Sequence, residues 1–187
     1  FLSDLYDARE TDAYAEFFEI IGPKGIGLVD GIDFKEILTS SIEYSVKSGG
    51  KVVQRKREKI LVVPQFQIGL NELSPNQLSE GTFKTITLLF YLMTEDSRFL
   101  LIEEPEVCVH HGLLSSIVEL IKVYSDQKQI LMSTHSDFVL DQVDPRHVYK
   151  VSRTSSAGTV VRQVAKSMSS KEYRALVDYL DTEGNLG

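Results

Sequence analysis

Two hydrophobic rhythms run along the chain, and the change between them falls near Leu78. Before it, Tyr6, Ala13, Phe17, Phe18 and Ile21 recur at helical spacing among acids, which predicts a helix over 6–21. Gly22-Pro23-Lys24-Gly25 stops that helix. Residues 25–33 are punctuated by glycine, and 34–37 predict a short turn or strand. From 42 to 67 the period falls to two. Ile42, Tyr44 and Val46 alternate with Glu43, Ser45 and Lys47, Ser48-Gly49-Gly50 signals a hairpin turn, and 51–57 forms the return strand. Residues 60–63 are continuously apolar, and Pro64 argues against an interior position in a central strand. Residues 71–77 predict a polar loop.

After Leu78, strands and helices alternate. A helix over 82–94 places Phe83, Ile86, Leu89, Phe90 and Met93 on one side, and a helix over 113–124 does the same with Leu113, Leu114, Ile117, Val118 and Ile121. Residues 99–102 and 129–132 are short apolar runs of the kind buried in parallel sheets. A short helix is predicted over 136–140, and strands over 147–151 and 159–164 flank Ala157-Gly158. A last helix over 169–180 is capped by Ser169 or Ser170 with Glu172 nearby. The fold class expected is α/β, with a mainly parallel sheet flanked by helices and an additional β-hairpin region near 42–67. Residues 1–77 form a helix-plus-hairpin region and 78–187 an α/β lobe.

Composition narrows the choice of function. The 187 residues are 42% hydrophobic and 25% charged, which excludes a disordered or collagen-like chain. No apolar run approaches the ~20 residues of a membrane span. One cysteine, Cys108, excludes an internal disulfide and a multi-thiolate metal site, and fits a reducing compartment, here read as the cytoplasm. No Lys or Arg adjoins Cys108 to activate it, so it reads as a small buried residue. The net charge of -7 excludes a globally basic nucleic-acid binder. One local cluster, Lys51, Arg55, Lys56, Arg57 and Lys59, fits either contacts to DNA or RNA phosphates or a charged hairpin that resists aggregation. The first residue is Phe1, and 181–187 carry no closing element, so a piece of a longer protein is expected.

Three stretches carry candidate chemistry. Phe99-Leu100-Leu101-Ile102-Glu103-Glu104-Pro105-Glu106 is an apolar strand ending in paired carboxylates, at the sheet edge where open α/β sheets bind ligands. Glu103 can hold Mg²⁺, which favours oxygen ligands, and Glu104 can orient or deprotonate a water. Equally, acids after a strand simply meet solvent. Ile130-Leu131-Met132-Ser133-Thr134-His135-Ser136 ends a second strand in a histidine able to donate to a charged phosphate, or merely satisfied at a strand end. Leu78-Ser79-Glu80-Gly81-Thr82 opens a helix, where backbone N–H groups and a hydroxyl make an anion site or an ordinary N-cap. His110-His111 with Glu106 is a weaker metal candidate, because adjacent side chains rarely point the same way.

Taken together and in this order, the stretches resemble the ABC-type ATPases of the SMC, RecF and OLD (overcoming lysogenization defect) group, and the chain resembles the C-terminal portion of such a P-loop NTPase-like head. Leu78-Ser79-Glu80-Gly81-Thr82 is similar to the signature motif, Leu100–Glu104 to Walker B with its catalytic glutamate, Pro105–His111 to the D-loop region, and His135 to the switch histidine. The resemblance implies ATP and Mg²⁺ as ligands. Glu103 then stands at the Mg²⁺-associated acid and Glu104 at the water-polarising base. Ser79, Glu80, Gly81 and Thr82 lie against the γ-phosphate of a nucleotide on the opposite subunit, which His135 also senses. Glu106 and His110 fall on the D-loop at the seam of two heads. Composite sites imply a second ATPase head as partner, most simply a homodimer.

The sequence departs from that pattern in three places. Glu103 stands where the group has Asp, moving the carboxylate outward by about 1.5 Å. His111 stands where Pro is frequent. The Walker A pattern G-x-x-x-x-G-K-[ST] is absent; Gly22 and Gly27 have the spacing, but Leu28 follows. A missing N-terminal Walker A half is therefore an expected partner. The reading that follows is an ATPase working on nucleic acid, in repair or defence against phage. The alternatives are a non-hydrolysing, ATP-dependent scaffold for a partner nuclease, and a metal-dependent nuclease built from Glu103, Glu104, Glu106 and the histidines.

Overall fold

A computed structural model describes residues 1–107, 109–155, 158–167 and 169–175. It divides into two compact units, Phe1–Glu95 and Asp96–Gly187. The boundary drawn from the sequence, between 77 and 78, leaves the helix that follows Ser79 with the second lobe; by contacts that helix belongs to the first unit.

In the first unit, the helix expected over 6–21 is two helices, α1 (Leu2–Ala8) and α2 (Asp12–Ile21). Thr11 separates them. Its hydroxyl donates to the Ala8 carbonyl at 2.7 Å and accepts the Tyr14 N–H at 3.2 Å, so one side chain closes the first helix and caps the second. After α2 the backbone folds back tightly. A Cβ on Gly25 would lie 2.1 Å from the Ile20 carbonyl oxygen, so only glycine fits there.

The hairpin is far longer than its alternating core suggested. β1 (Gly31–Val46) pairs antiparallel with β2 (Val52–Ile68), from Gly31 opposite Gln67 to Val46 opposite Val52. β3 (Asn71–Leu73) adds to the base of β2 through Phe66–Ile68, within the segment expected to be a polar loop. Pro64 lies in β2 beyond the β3 pairing, where β2 has a ladder partner on one side only, a position proline tolerates. Ser79 caps α3 (Glu80–Thr94), which packs on α2. Leu5, Phe17, Ile21, Phe66, Ile86, Leu89, Phe90 and Leu92 are buried in this unit. Phe17 meets Phe90 edge-on at 5.4 Å.

The second unit is built on a βαβ element. β4 (Phe99–Glu103) and β5 (Gln129–Ser133) are parallel and joined through α4 (His111–Ser125). Leu114 and Val118 of α4 pack with Val139 of α5 (Asp137–Asp141), beside Val109, Met132 and Phe138. β6 (Tyr149–Thr154) and β7 (Gly158–Gln163) form a hairpin, followed by α6 (Val164–Ser167).

The expected mainly parallel sheet is thus corrected. Among the described residues only β4 and β5 are parallel, and the other two sheets are antiparallel. Parallel neighbours need a crossover of a dozen residues or more, which α4 provides and the short link 155–157 does not. The β4–β5 pair also leaves Phe99, Leu101 and Leu131 exposed on one face while burying Ile102 on the other. Of the last predicted helix, 170–175 are helical, and the Glu172 carboxylate accepts both the N–H and the hydroxyl of Ser169, at 2.6 and 2.8 Å. Residues 176–180, Ala157 and Cys108 lie outside the described residues. No described helix is long and apolar enough to cross a membrane.

Candidate active site

The register of β4 and β5 places Glu103 opposite Ser133, so both strands end side by side. Glu103 is exposed there. The next residue, Glu104, donates its N–H to the Ser133 carbonyl at 3.0 Å, and its backbone then enters the left-handed region at φ 42°. It is the one non-glycine residue with positive φ among the described residues. A side chain in that conformation costs about 1–2 kcal/mol. Strain of this kind is characteristic of functional positions. Here it brings Glu104 Oε1 to 3.6 Å from His135 Nε2. Both groups are open to solvent, His135 at 85% exposure. At that separation the two are in polar contact without a direct hydrogen bond.

Glu106 is turned toward the end of β5. The turn from Glu104 to Val107, closed by Val107 N–H to Glu104 O at 3.2 Å, brings its carboxylate back toward that end. Its Oε1 accepts the Thr134 hydroxyl at 2.8 Å and the His135 backbone N–H at 2.7 Å. Thr134 in turn accepts the Ser136 N–H at 3.0 Å, and the Ser136 hydroxyl caps α5 through Val139 N–H. A continuous relay therefore fixes the backbone that carries His135. The other oxygen, Oε2, is buried with no hydrogen-bond partner among the described residues. Thr134 and Ser136 lie in the stretch that carries His135, but the sequence assigned them no role. The Ser136-to-Val139 spacing is a legible cap signal, but the Glu106 contact joins residues 28 and 29 positions apart.

Removing that carboxylate should be felt. Glu106→Ala strands the Thr134 hydroxyl and the His135 N–H, and a stability loss of about 1–3 kcal/mol is expected in urea denaturation. Glu106→Gln keeps one acceptor oxygen and should lose less than half as much. Equal midpoints for wild type and Glu106→Ala would refute the relay.

The remaining site residues have local partners. His110 caps α4, its Nδ1 accepting the Gly112 N–H at 3.2 Å, while His111 packs edge-on against Phe138 at 5.6 Å. The two histidines thus serve different neighbours. In the first unit, the Ser79 hydroxyl accepts the Thr82 N–H at 3.1 Å and shares a hydrogen bond with the Thr82 hydroxyl at 2.8 Å. Ser79 and Glu80 are exposed, Gly81 and Thr82 half-buried.

Among the described residues no group of three or more His, Cys, Asp or Glu is gathered to hold a metal ion. Carboxylate oxygens at a strand end nevertheless fit Mg²⁺ in kind, because that ion takes one or two protein carboxylates and completes its shell with phosphate and water. The orphaned Glu106 Oε2 also marks polar demand at this end of the sheet.

The sequence from 27 to 141, more than half of the chain, matches the family model described as "AAA domain, putative AbiEii toxin, Type IV TA system". The chain belongs to this AAA domain family. The matched span contains the hairpin, Ser79–Thr82, Glu103, Glu104, Glu106 and His135. This AAA domain is an ATPase-type domain, and membership implies nucleotide binding with a divalent metal. No curated protein matches it.

Solved structures share its fold. One comes from work on ATP-driven dimerization and DNA-stimulated activation of SMC ATPases, with TM-score 0.55 and 16% identity over 89% of this chain and 87% of that one. The Smc head domain with a coiled coil and joint from Pyrococcus yayanosii superposes with TM-score 0.56 and 14% identity over 94% of this chain. An SmcHead bound to the C-winged helix domain of ScpA gives 0.51 and 14% over 83%. The AAA domain spans 29% and 42% of the latter two chains. At these identities the likeness is one of fold: an α/β domain resembling SMC heads.

Proposed function

We propose that this AAA domain supplies the hydrolytic and phosphate-sensing residues of an ATP-hydrolysing head that acts as a dimer. The observation that carries the reading is the meeting of Glu104 and His135 across adjacent parallel strand ends, 3.6 Å apart. The reaction is attack of water on the γ-phosphate, in which a new P–O bond forms as the bond to the bridging oxygen breaks and ADP leaves. Glu104 orients that water and takes up its proton. His135 donates from Nε2 to the terminal phosphate, held in place by the Glu106 relay. Glu103 would hold Mg²⁺, which when bound would supply positive charge to offset that of the phosphates. Ser79, Glu80, Gly81 and Thr82 offer a helix N-terminus to the nucleotide of a second copy. Glu106 and His110 stand near the seam. A cytoplasmic setting and a role on DNA or RNA, in repair or in phage defence among RecF-like and OLD-like machines, accord with this reading by analogy of family.

One specific feature keeps a second reading in play. Glu103 replaces the shorter Asp, and Mg²⁺ demands near-ideal geometry. A head that closes on ATP without turnover, as a scaffold for a partner nuclease, would tolerate that change. Turnover measurements in an assembly with a phosphate loop separate the two readings.

The Gly22–Gly27 turn lacks the Lys of a phosphate loop. The chain of 187 residues by itself is accordingly expected to bind ATP–Mg²⁺ more weakly than micromolar and to release no measurable phosphate. Calorimetric titration checks this, and micromolar binding would show that another cradle exists within these residues.

A further inference from the structure

The β1–β2 ribbon carries information that the ATPase reading does not use. Its paired strands of 16 and 17 residues extend about 50 Å, and from Lys35 to about Leu61 nearly every side chain is exposed on both faces. Register sorts the side chains. Lys35, Ile37, Thr39, Ser41, Glu43 and Ser45 share a face with Val53, Arg55, Arg57, Lys59, Leu61 and Val63. The opposite face carries Leu38, Ile42, Tyr44, Val46, Val52 and Ile60, with Lys56 paired to Glu58 at 2.8 Å and Glu36 accepting the Tyr6 hydroxyl.

The cations therefore concentrate on one face. Arg57 is paired with Glu43 at 3.1 Å. Lys35, Arg55 and Lys59 are exposed, and none makes an ion pair among the described residues. At the base of the same face, Asp33 accepts from Gln67 at 2.9 Å. Lys47 and Lys51 flank the turn at the tip. On the opposite face the one ribbon cation, Lys56, is paired with Glu58, so the cations without an ion-pair partner among the described residues lie on the other face. Arg55, Arg57 and Lys59 recur at two-residue steps, about 6.8 Å apart along the strand, with Glu43 opposite Arg55, Ser41 opposite Arg57 and Thr39 opposite Lys59. A two-stranded ribbon also has the width that a duplex groove of about 12 Å admits. No aromatic ring lies on the basic face from Lys35 to Val63, so the stacking used to grip single strands is not offered there. The chain as a whole carries -7, so attraction to a polyanion belongs to this arm.

We propose that the Lys35–Arg55–Lys59 face of the ribbon binds the phosphate backbone of a nucleic-acid duplex, independently of sequence. The test needs no nucleotide, so it stands or falls apart from the ATPase reading. The probe is a fluorescein-labelled mixed-sequence DNA duplex, titrated with the full chain across a salt series. Three unpaired cations predict that log K falls with log salt at a slope of about -2.7 or steeper. Lys35→Gln, Arg55→Gln and Lys59→Gln should each flatten the slope by about 0.9, and together weaken binding at least about tenfold near 0.1 M salt. Lys56→Gln, on the other face, should change affinity less than about twofold. Equal losses from Lys56→Gln and Arg55→Gln, or no binding at about 0.05 M salt, would overturn the proposal. So would light scattering in which the basic-face variants abolish self-association while duplex binding persists, since the face would then serve a second, acidic copy of the chain. These side chains are exposed, so the melting curves of the variants should match wild type. Should the triple variant unfold, the slopes of the single variants decide.

Discussion

Glu104→Gln is expected to lower ATP turnover about 10²- to 10⁴-fold, in an assembly that includes a phosphate loop, while ATP-dependent association persists. The amide matches the carboxylate in size and keeps an oxygen beside His135, but it cannot take a proton from water. Phosphate release and light scattering read the two effects separately. Unchanged turnover would remove the role assigned to Glu104, whereas loss of both turnover and association would point to a binding role instead. The backbone offers an independent check. Glu104 holds φ 42°, a conformation glycine adopts freely. Glu104→Gly should therefore raise stability by up to about 1–2 kcal/mol through relief of that strain, and still abolish turnover. A residue kept for structure alone would not show that opposition.

Phe17→Ala should have the largest effect on stability, about 3–5 kcal/mol in urea denaturation. Phe17 is completely buried, meets Phe90 edge-on at 5.4 Å and lies 6.0 Å from the Tyr14 ring. Truncation leaves a cavity bounded by helices α2 and α3, whose backbones cannot close on it without unpacking their other contacts. A loss of that size is a large part of the 5–15 kcal/mol that typically stabilises a domain. Phe83→Ala makes an informative comparison. The helical stripe of the sequence puts Phe83 in the same core, but the structure leaves it half-buried against Phe1 at 5.6 Å. Its loss should be about half as large or less. Equal losses at both sites would mean that the stripe, not the observed burial, describes the core.

The comparison of Phe17 with Phe83 shows what periodicity conveys. It gives the existence of α3 and its approximate face, because residues three and four apart must share a side. Ile86, Leu89 and Phe90 are buried as that stripe predicts, but Thr85 and Leu92 are buried in place of Phe83 and Met93, because the neighbouring helix selects which part of the stripe it covers. Thr11 shows a different limit. Its neighbours continue a helical rhythm, yet a single hydroxyl with two backbone partners divides the segment. For the hairpin, the alternating residues 42–47 marked the tip, and pairing extended it to Gly31 and Gln67 through residues with little pattern of their own.

Local chemistry was readable from residue order alone. An apolar run closed by two acids, a second closed by a histidine, and a serine before a helix can each be recognised within a few positions, because strand ends and helix caps are short-range structures. Which strands became parallel, which way Glu106 turned, and the meeting of Glu104 with His135 depended on the tertiary fold. So did the sorting of Lys35, Arg55 and Lys59 onto one face of the ribbon, where none makes an ion pair among the described residues. These are contacts between residues about 20 to 31 positions apart, and their geometry is set by strand register and by a crossover helix. No short window of sequence contains both partners, so only the folded chain could bring them to one place.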